Sequence, residues 1–381
     1  MMAAVRNTLP ALENTGGEKS EASSLLSLHR RQRLLPLSSQ TTVGQTSVVD
    51  DLLRIKYRLV EPRGKQGTVE VYHHTLSDAQ AAVLTITDVT RPPCLWSYLL
   101  FKRFPKLQAH DVKDVTIVTA YFNLGKAPTA GKTFSLYKYL TWASVFRHLQ
   151  NPLVVYTDSE QMRNMLVETR RHLSNNTLVI FITRSQLKAF RRLEEIRSIF
   201  RSPDYPKYPP NTVVAEYPCS QHAKHELVKD TIDKSYFPWT RYIAWLDIGY
   251  FRYLTERRRN FWIVRPPDMD DAKMAVTQIM PPDFTLYPDE IFKNNLVWVG
   301  GGMSVGTRGV YRQFAEEYTG ATDAFLDQGL SNTDQQVLYA MFTHPHGLQH
   351  RVSTQLQMYT WSLSCVWDCW FYLGYLCYRE E

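Results

Sequence analysis

From Asp111 onward the chain alternates short β-branched apolar runs with longer stretches whose apolar positions recur at helical spacing. That alternation is the pattern of a mainly parallel sheet covered by helices. Val115–Ala120 predicts a buried first strand, followed by a loop over Tyr121–Lys132 and a helix over Phe134–Leu149. Leu153–Tyr156 predicts the second strand, ending at Thr157-Asp158-Ser159, whose side chains suit the cap of a helix running to His172. Leu178–Ile182 predicts a third strand, Ser185–Phe200 another helix, and the proline-rich stretch Ser202–Pro210 a long loop. A helix over His222–Lys234 then precedes Tyr242–Leu246, an apolar strand that delivers Asp247 to its carboxyl end. Open α/β sheets bind ligands outside the carboxyl ends of their strands, so Asp247 is the first candidate for chemistry.

The flanks read differently. Residues 1–48 are rich in Ser, Thr, Gly, Gln and Arg without sustained periodicity, a composition that buries too little apolar surface to offset the entropy of ordering. Residues 49–110 form a β-rich extension, with strand-like runs at Leu53–Val60, Thr68–His74 and Ala82–Thr87 separated by turn signals. Residues 111–350 make the main domain, and 351–381 an aromatic carboxyl-terminal segment read as packed. No internal repeat is present.

Composition narrows the class. Hydrophobic residues make up 44% and charged residues 21%, the proportions of a globular protein able to bury a core. Lys and Arg total 44 against 37 Asp and Glu, a net charge of +7 without long basic blocks, which does not indicate a nucleic-acid partner. The five cysteines are odd in number and scattered, which argues against a disulfide framework, and Cys365 and Cys369 lack the companions of a zinc site. The first fifty residues carry no apolar h-region, so neither a signal peptide nor an amino-terminal anchor is expected; Golgi and cytoplasmic locations both fit. Met358–Tyr378 is aromatic but carries Asp368 and several polar residues, which are costly at a bilayer centre; membrane association is left open.

The loop around Lys126 and Lys132 is no Walker P-loop, because Gly131-Lys132-Thr133 lacks the earlier glycine, and it carries no dinucleotide fingerprint. No Gly-x-Ser-x-Gly elbow occurs either. Glycosyl transfer from a nucleotide sugar requires the leaving diphosphate to be neutralised, by a divalent cation on carboxylates or by basic side chains. Asp247 suits that task, although transferases of the glycosyltransferase A type commonly carry Asp-x-Asp at such a strand end and here the third position is Gly249. Trp298-Val299-Gly300-Gly301-Gly302-Met303 predicts a strand running into a turn, with glycines for positive φ or for close approach of backbone to a ligand. Asn332 or Thr333 caps an apolar helix whose first turn holds Asp334. His344, His346 and His350 cluster in an expected loop, where His346 would complete a metal site with Asp247. Lys126, Lys132 and Lys224 are the basic candidates for a diphosphate.

Several of these segments together resemble the HtrL/YibB family: Thr116–Phe122, Val155–Asp158, Ala215–Tyr217, Trp245–Arg252, the glycine run and Thr333–Gln336. The resemblance spans roughly residues 111–345 and is most specific in Trp245-Leu246-Asp247-Ile248-Gly249-Tyr250-Phe251-Arg252. It implies an α/β fold of the glycosyltransferase A type, a mainly parallel central sheet flanked by helices. It further implies a hexosyltransferase-like activity from a nucleoside-diphosphate sugar to a glycan or lipid-linked acceptor, with Mn²⁺ or Mg²⁺ as cofactor. Carried across, Asp247 and Asp334 are the implied catalytic residues, and Asp158, Lys224, Tyr121, Arg252, Gly301 and Gly302 line the nucleotide-sugar site. Asp247 is the implied metal ligand, and the loop reading above adds His346 beside it. Two rival readings stand beside it: a catalytically silent nucleotide-sugar or glycan-binding protein of the same fold, and an interaction module built on the aromatic carboxyl end.

Overall fold

The computed structural model describes residues 55–59, 67–73, 81–86, 106–125, 135–343, 352–360 and 369–381. Two compact units divide the chain, residues 6–101 and a larger unit holding residues 102–381. In the first, β1 (Ile55–Leu59), β2 (Gly67–His73) and β3 (Ala81–Ile86) form an antiparallel meander in that order, as the spacing of strand and turn signals anticipates.

The larger unit is built on a seven-stranded sheet. Its strands are β4 (Val115–Tyr121), β5 (Leu153–Thr157), β6 (Thr177–Phe181), β7 (Tyr242–Leu246), β9 (Lys273–Gln278), β10 (Val299–Thr307) and β11 (Gln355–Thr360), with β8 (Phe261–Ile263) paired separately to β12 (Tyr378–Glu380). The order is β11-β9-β10-β7-β4-β5-β6. Strands β7, β4, β5 and β6 run parallel, and β10 alone opposes the rest, antiparallel to both β7 and β9. The carboxyl ends of β4, β5, β7 and β9 therefore share one edge with the amino end of β10. The architecture is mixed α/β with a mostly parallel central sheet and helices, as the hydrophobic pattern predicts.

Nine helices accompany it among the described residues: α1 (Leu136–Ala143), α2 (Glu160–Thr169), α3 (Lys188–Arg191), α4 (Leu193–Arg201), α5 (Glu216–Asp233), α6 (Pro288–Lys293), α7 (Arg308–Asp327), α8 (Asp334–Phe342) and α9 (Tyr372–Cys377). Side chains alternate across a strand, so β4 serves two layers. Val118 and Ala120 join Leu227 and Val228 of α5 and Phe314 and Tyr318 of α7 in the main core. Tyr121, of the opposite parity, meets Tyr139 of α1 with ring centroids 5.3 Å apart. β4, β5 and β7 are buried at every position, on both faces, so their sequences do not alternate apolar with exposed polar residues.

Helix α5 passes through the middle of this core, and residues 217–225 are buried without a break. Helices buried all round lose the one-sided apolar stripe that sequence reading depends on. That is why α5 starts at Glu216 rather than at the expected His222; Pro218 falls in its first turn, where a missing N–H costs no helical bond. The helix expected over 185–200 is broken near Leu187 and Arg192. Glu226 of α5 stabilises the restart by accepting from the Lys188 and Ala189 amides at 2.7 and 3.2 Å. Ser159 supplies the expected cap of α2, its hydroxyl accepting from Met162 N at 3.3 Å.

The carboxyl-terminal segment adds β11 to the sheet edge beside β9, and the Gly374 amide donates to the Tyr250 hydroxyl at 2.9 Å. Among the described residues, no helix is long and apolar enough to cross a membrane.

Candidate functional site

Three charged side chains from three separate elements meet at the shared strand edge. Lys224 projects from α5, Asp247 follows the last residue of β7, and Asp334 is the first residue of α8. Lys224 Nζ donates to Asp334 Oδ2 at 2.9 Å and lies 3.3 Å from Asp247 Oδ1. Its third contact is the Gly301 carbonyl, also at 2.9 Å. All three charged side chains are at most 2% exposed. Burial opposes the Lys224 charge, but the two carboxylates outweigh it and raise its pKa above the ordinary lysine value. Burial likewise pushes the Asp334 carboxyl upward, with Lys224 opposing.

One oxygen of each carboxylate remains free. Asp247 Oδ1 accepts from the Trp245 indole at 2.7 Å as well as facing Lys224, whereas Asp247 Oδ2 and Asp334 Oδ1 are buried without a hydrogen-bond partner. With Lys224 and both carboxylates ionised the cluster carries a formal charge of −1. A buried site of that sign, with two unsatisfied hard oxygens, suits a cation or a hydrogen-bond donor rather than a bare anion.

The glycine run lies inside β10 rather than in a turn. Pairing with β9 jumps from Gly300↔Thr277 to Ser304↔Val276, so residues 301–303 bulge out of the ladder. Among the described residues positive φ is confined, for glycine, to Gly125 and Gly329. The need for glycine at 301 is instead space: a Cβ there would lie 2.0 Å from Asp334 Oδ2. Close backbone approach was the right physical expectation, but the partner is the carboxylate of α8. On the other side of the bulge, the Asp247 amide donates to the Gly302 carbonyl at 2.9 Å.

The turn after Asp247 is equally crowded. Tyr250 N donates to Asp247 O at 2.8 Å, and a Cβ on Gly249 would come within 2.8 Å of the Trp142 ring. A second aspartate at 249 therefore has no room, which gives a packing reason for the departure from Asp-x-Asp. Trp142 continues a ring series through Tyr139 (5.1 Å) to Tyr121. Burial and Asp158 push the Tyr121 hydroxyl up to about 12, while Tyr139 is raised by burial and by Asp247. Arg252 packs its guanidinium on Trp142 at 5.4 Å.

Asp158 is committed elsewhere: it accepts from Asn123 N at 2.7 Å and pairs with Arg184 at 3.0 Å. It holds the β4 and β5 loops together at the carboxyl edge. Thr333 occupies the cap position of α8, but its hydroxyl donates to Gln336 Oε1 at 2.7 Å instead of serving the helix amides. His344, His346, His350, Lys126 and Lys132 lie outside the described residues, and among those described no three His, Cys, Asp or Glu side chains cluster as a metal site. Sequence reading overlooked Trp245 and Trp142, which hold Asp247 and its turn, because buried tryptophans on apolar stretches look like ordinary core. A shallow groove lined by Lys188, Arg192, His222, Glu226 and Tyr318 contains none of Asp247, Asp334 or Arg252.

A search of the curated proteins returns no match to this chain. One family profile matches residues 113–352, most of the chain, including Lys224, Asp247, Gly301 and Asp334. The chain therefore belongs to the HtrL_YibB family, described as a bacterial protein of unknown function.

Proposed function

We propose that the chain is a glycosyltransferase of the A type that moves a hexose from a nucleoside-diphosphate sugar to a glycan or lipid-linked acceptor. The observation that carries this reading is the pair of half-free carboxylates, Asp247 and Asp334, buried on Lys224 at the carboxyl edge of a mostly parallel sheet. That edge is where such sheets bind their ligands. A cluster of charge −1 repels a diphosphate unless a dication arrives with it, and Mg²⁺ is commonly held by one or two carboxylates plus substrate phosphates. Asp247 Oδ2 is the oxygen that would hold Mn²⁺ or Mg²⁺ together with the donor phosphates, which leaves Asp334 Oδ1 without a partner. The cation would supply charge neutralisation of the leaving diphosphate.

The chain's own residues have separable roles in this scheme. Trp245 and Lys224 fix the Asp247 carboxylate, one through its indole N–H and the other through its charge. Lys224 also donates to the Gly301 carbonyl, so the β10 bulge and the two acids are held by one ammonium group. Asp334 is the residue placed for proton transfer from an acceptor hydroxyl, because burial raises its proton affinity and its Oδ1 is uncommitted. Gly301 and Gly302 bring backbone rather than side chains to the sugar side.

The experiment is differential scanning fluorimetry of the purified chain with UDP, GDP, CMP and their sugars, with Mn²⁺ and with chelator, followed by donor hydrolysis. Metal-dependent stabilisation by one nucleotide and turnover that Asp247→Asn abolishes are the expected results. Wild-type turnover in that variant removes Asp247 from the mechanism. A second reading, a nucleotide-sugar-binding protein without catalysis, is favoured by Lys224 holding both acids and by Trp142 excluding a second aspartate. Stabilisation by a sugar nucleotide without any hydrolysis would select it.

A further inference from the structure

We propose that Arg252, held between aromatic rings of the Asp247 turn and of the carboxyl-terminal segment, is a phosphate-binding site. The choice of ligand, the donor's diphosphate, rests on the transferase reading; the site itself rests on packing. The Arg252 guanidinium lies 4.5 Å from the Phe371 ring centroid, 5.4 Å from that of Trp142 and 5.5 Å from that of Tyr253. Such contacts attract the cation to ring faces and leave the in-plane N–H donors unused. Among the described residues no carboxylate or carbonyl accepts from the Arg252 side chain. The chain treats its other half-buried arginines differently: Arg192 engages Glu195, Asp323 and Asp327, and Arg197 engages Glu194 and Glu216.

Placement argues for a ligand rather than for solvent alone. Arg252 N donates to Gly249 O at 3.3 Å, so its backbone belongs to the turn that begins at Asp247. The Tyr139 hydroxyl is raised by Asp247 and lowered by Arg252, so the guanidinium and the Asp247 carboxylate flank the same ring. A half-buried guanidinium whose N–H donors no described residue engages matches two phosphate oxygens at once. Lys138, 5.6 Å from the Trp142 ring, adds positive potential to that wall.

The clamp is completed by residues beyond the family-matched stretch, which ends at residue 352. Phe371 packs edge-on to Tyr250 at 4.9 Å, and Gly374 sits so close that a Cβ would lie 2.1 Å from the Tyr250 ring. The 369–377 segment is thus keyed to the Trp245–Arg252 motif. Phe371 is a positioning residue for Arg252.

The test is isothermal titration of the full chain with inorganic pyrophosphate, with Mg²⁺ present, and separately with UDP, GDP and CDP under the same conditions. Arg252→Gln should weaken pyrophosphate binding at least about tenfold, the scale of a charged hydrogen bond. Arg252→Lys, which keeps charge without the fork, should recover only part of it. Phe371→Leu should weaken binding severalfold and Phe371→Tyr should keep it. Unchanged affinity in Arg252→Gln, or no pyrophosphate binding by the wild type, overturns the site. Nucleotide binding lost in Asp247→Asn but intact in Arg252→Gln would sink this site and leave the transferase reading standing. Arg252-dependent pyrophosphate binding without any nucleotide binding would do the reverse.

Discussion

Lys224 and Asp334 lie 110 residues apart in sequence, yet the lysine donates to the aspartate at 2.9 Å with both side chains at most 2% exposed. Removing one member of a buried pair leaves an uncompensated charge, which costs about 3–5 kcal/mol. Lys224→Met should therefore be strongly destabilised in urea unfolding at neutral pH. Combining it with Asp247→Asn and Asp334→Asn should recover much of the loss, because amides need no counter-charge. A triple variant no more stable than Lys224→Met would mean that the lysine matters for packing instead.

Gly301→Ala tests the backbone approach on which the acid pair depends. The added methyl would overlap Asp334 Oδ2, so either the β10 bulge or α8 must shift. Overpacking of this kind costs roughly 1–3 kcal/mol. Gly320→Ala, in α7 with open space around the new Cβ, is the control and should gain about 1 kcal/mol from helix propensity. If both variants melt alike, the tight contact at Gly301 is relieved without consequence.

The contrast between these glycines marks where sequence reading stops. Strand β7, the exit of Asp247 and a cap within Thr157-Asp158-Ser159 were legible, because each is a local pattern: an apolar run, a carboxylate after it, a capping side chain before a helix. Asp334 was legible as a first-turn residue of α8 for the same reason. The pairing of Asp334 with Lys224 was not, since nothing local connects a lysine inside a buried helix to an acid beyond the sheet. Gly300-Gly301-Gly302 read as a turn because consecutive glycines usually signal one. Here their small size, not their φ freedom, is what the fold uses at 301. Phe371 and Trp142 were invisible as site residues, because an aromatic that braces an arginine looks in sequence like one that fills a core.

Arg170 offers a test away from the site. It is 1% exposed and meets no carboxylate among the described residues; its guanidinium donates to the carbonyls of Phe146, Leu149 and Asn151 and to the Thr177 hydroxyl. Burial lowers its pKa to about 10. The fan of donors ties the end of α2 to the chain entering β5. A lysine there cannot match those acceptors, and each buried one left unmet costs about 1–3 kcal/mol. Arg170→Lys should fall in urea midpoint by far more than an exposed exchange such as Arg171→Lys. Equal midpoints would show that the carbonyls find other donors.

Acid stability should be governed by two histidines on α5. His222 and His225 are both buried beside Lys224, and burial followed by that charge lowers the first to about 3 and the second well below its ordinary 6.5. Below 6.5 the unfolded chain protonates both while the folded chain protonates neither, so stability falls with falling pH, by about 1.4 kcal/mol per pH unit for each. Asp334 works in the other direction: its raised pKa lets the folded state hold an extra proton below that value and above 3.8, which favours folding as pH falls. The histidines win because there are two of them. His225 is the better one to remove, since both its ring nitrogens are buried without partners and its ring packs on Tyr318 at 4.1 Å and Phe314 at 5.1 Å. His225→Phe should match or exceed wild-type stability at pH 7, because a benzene ring loses no hydrogen bonds there. Its loss of stability between pH 6 and 4 should also be shallower by about one proton's worth, roughly 1.4 kcal/mol per unit. Urea unfolding of both proteins across that range decides the matter. A parallel pair of pH curves would mean that His225 is already protonated in the fold, which its surroundings of Lys224 and three aromatic rings argue against.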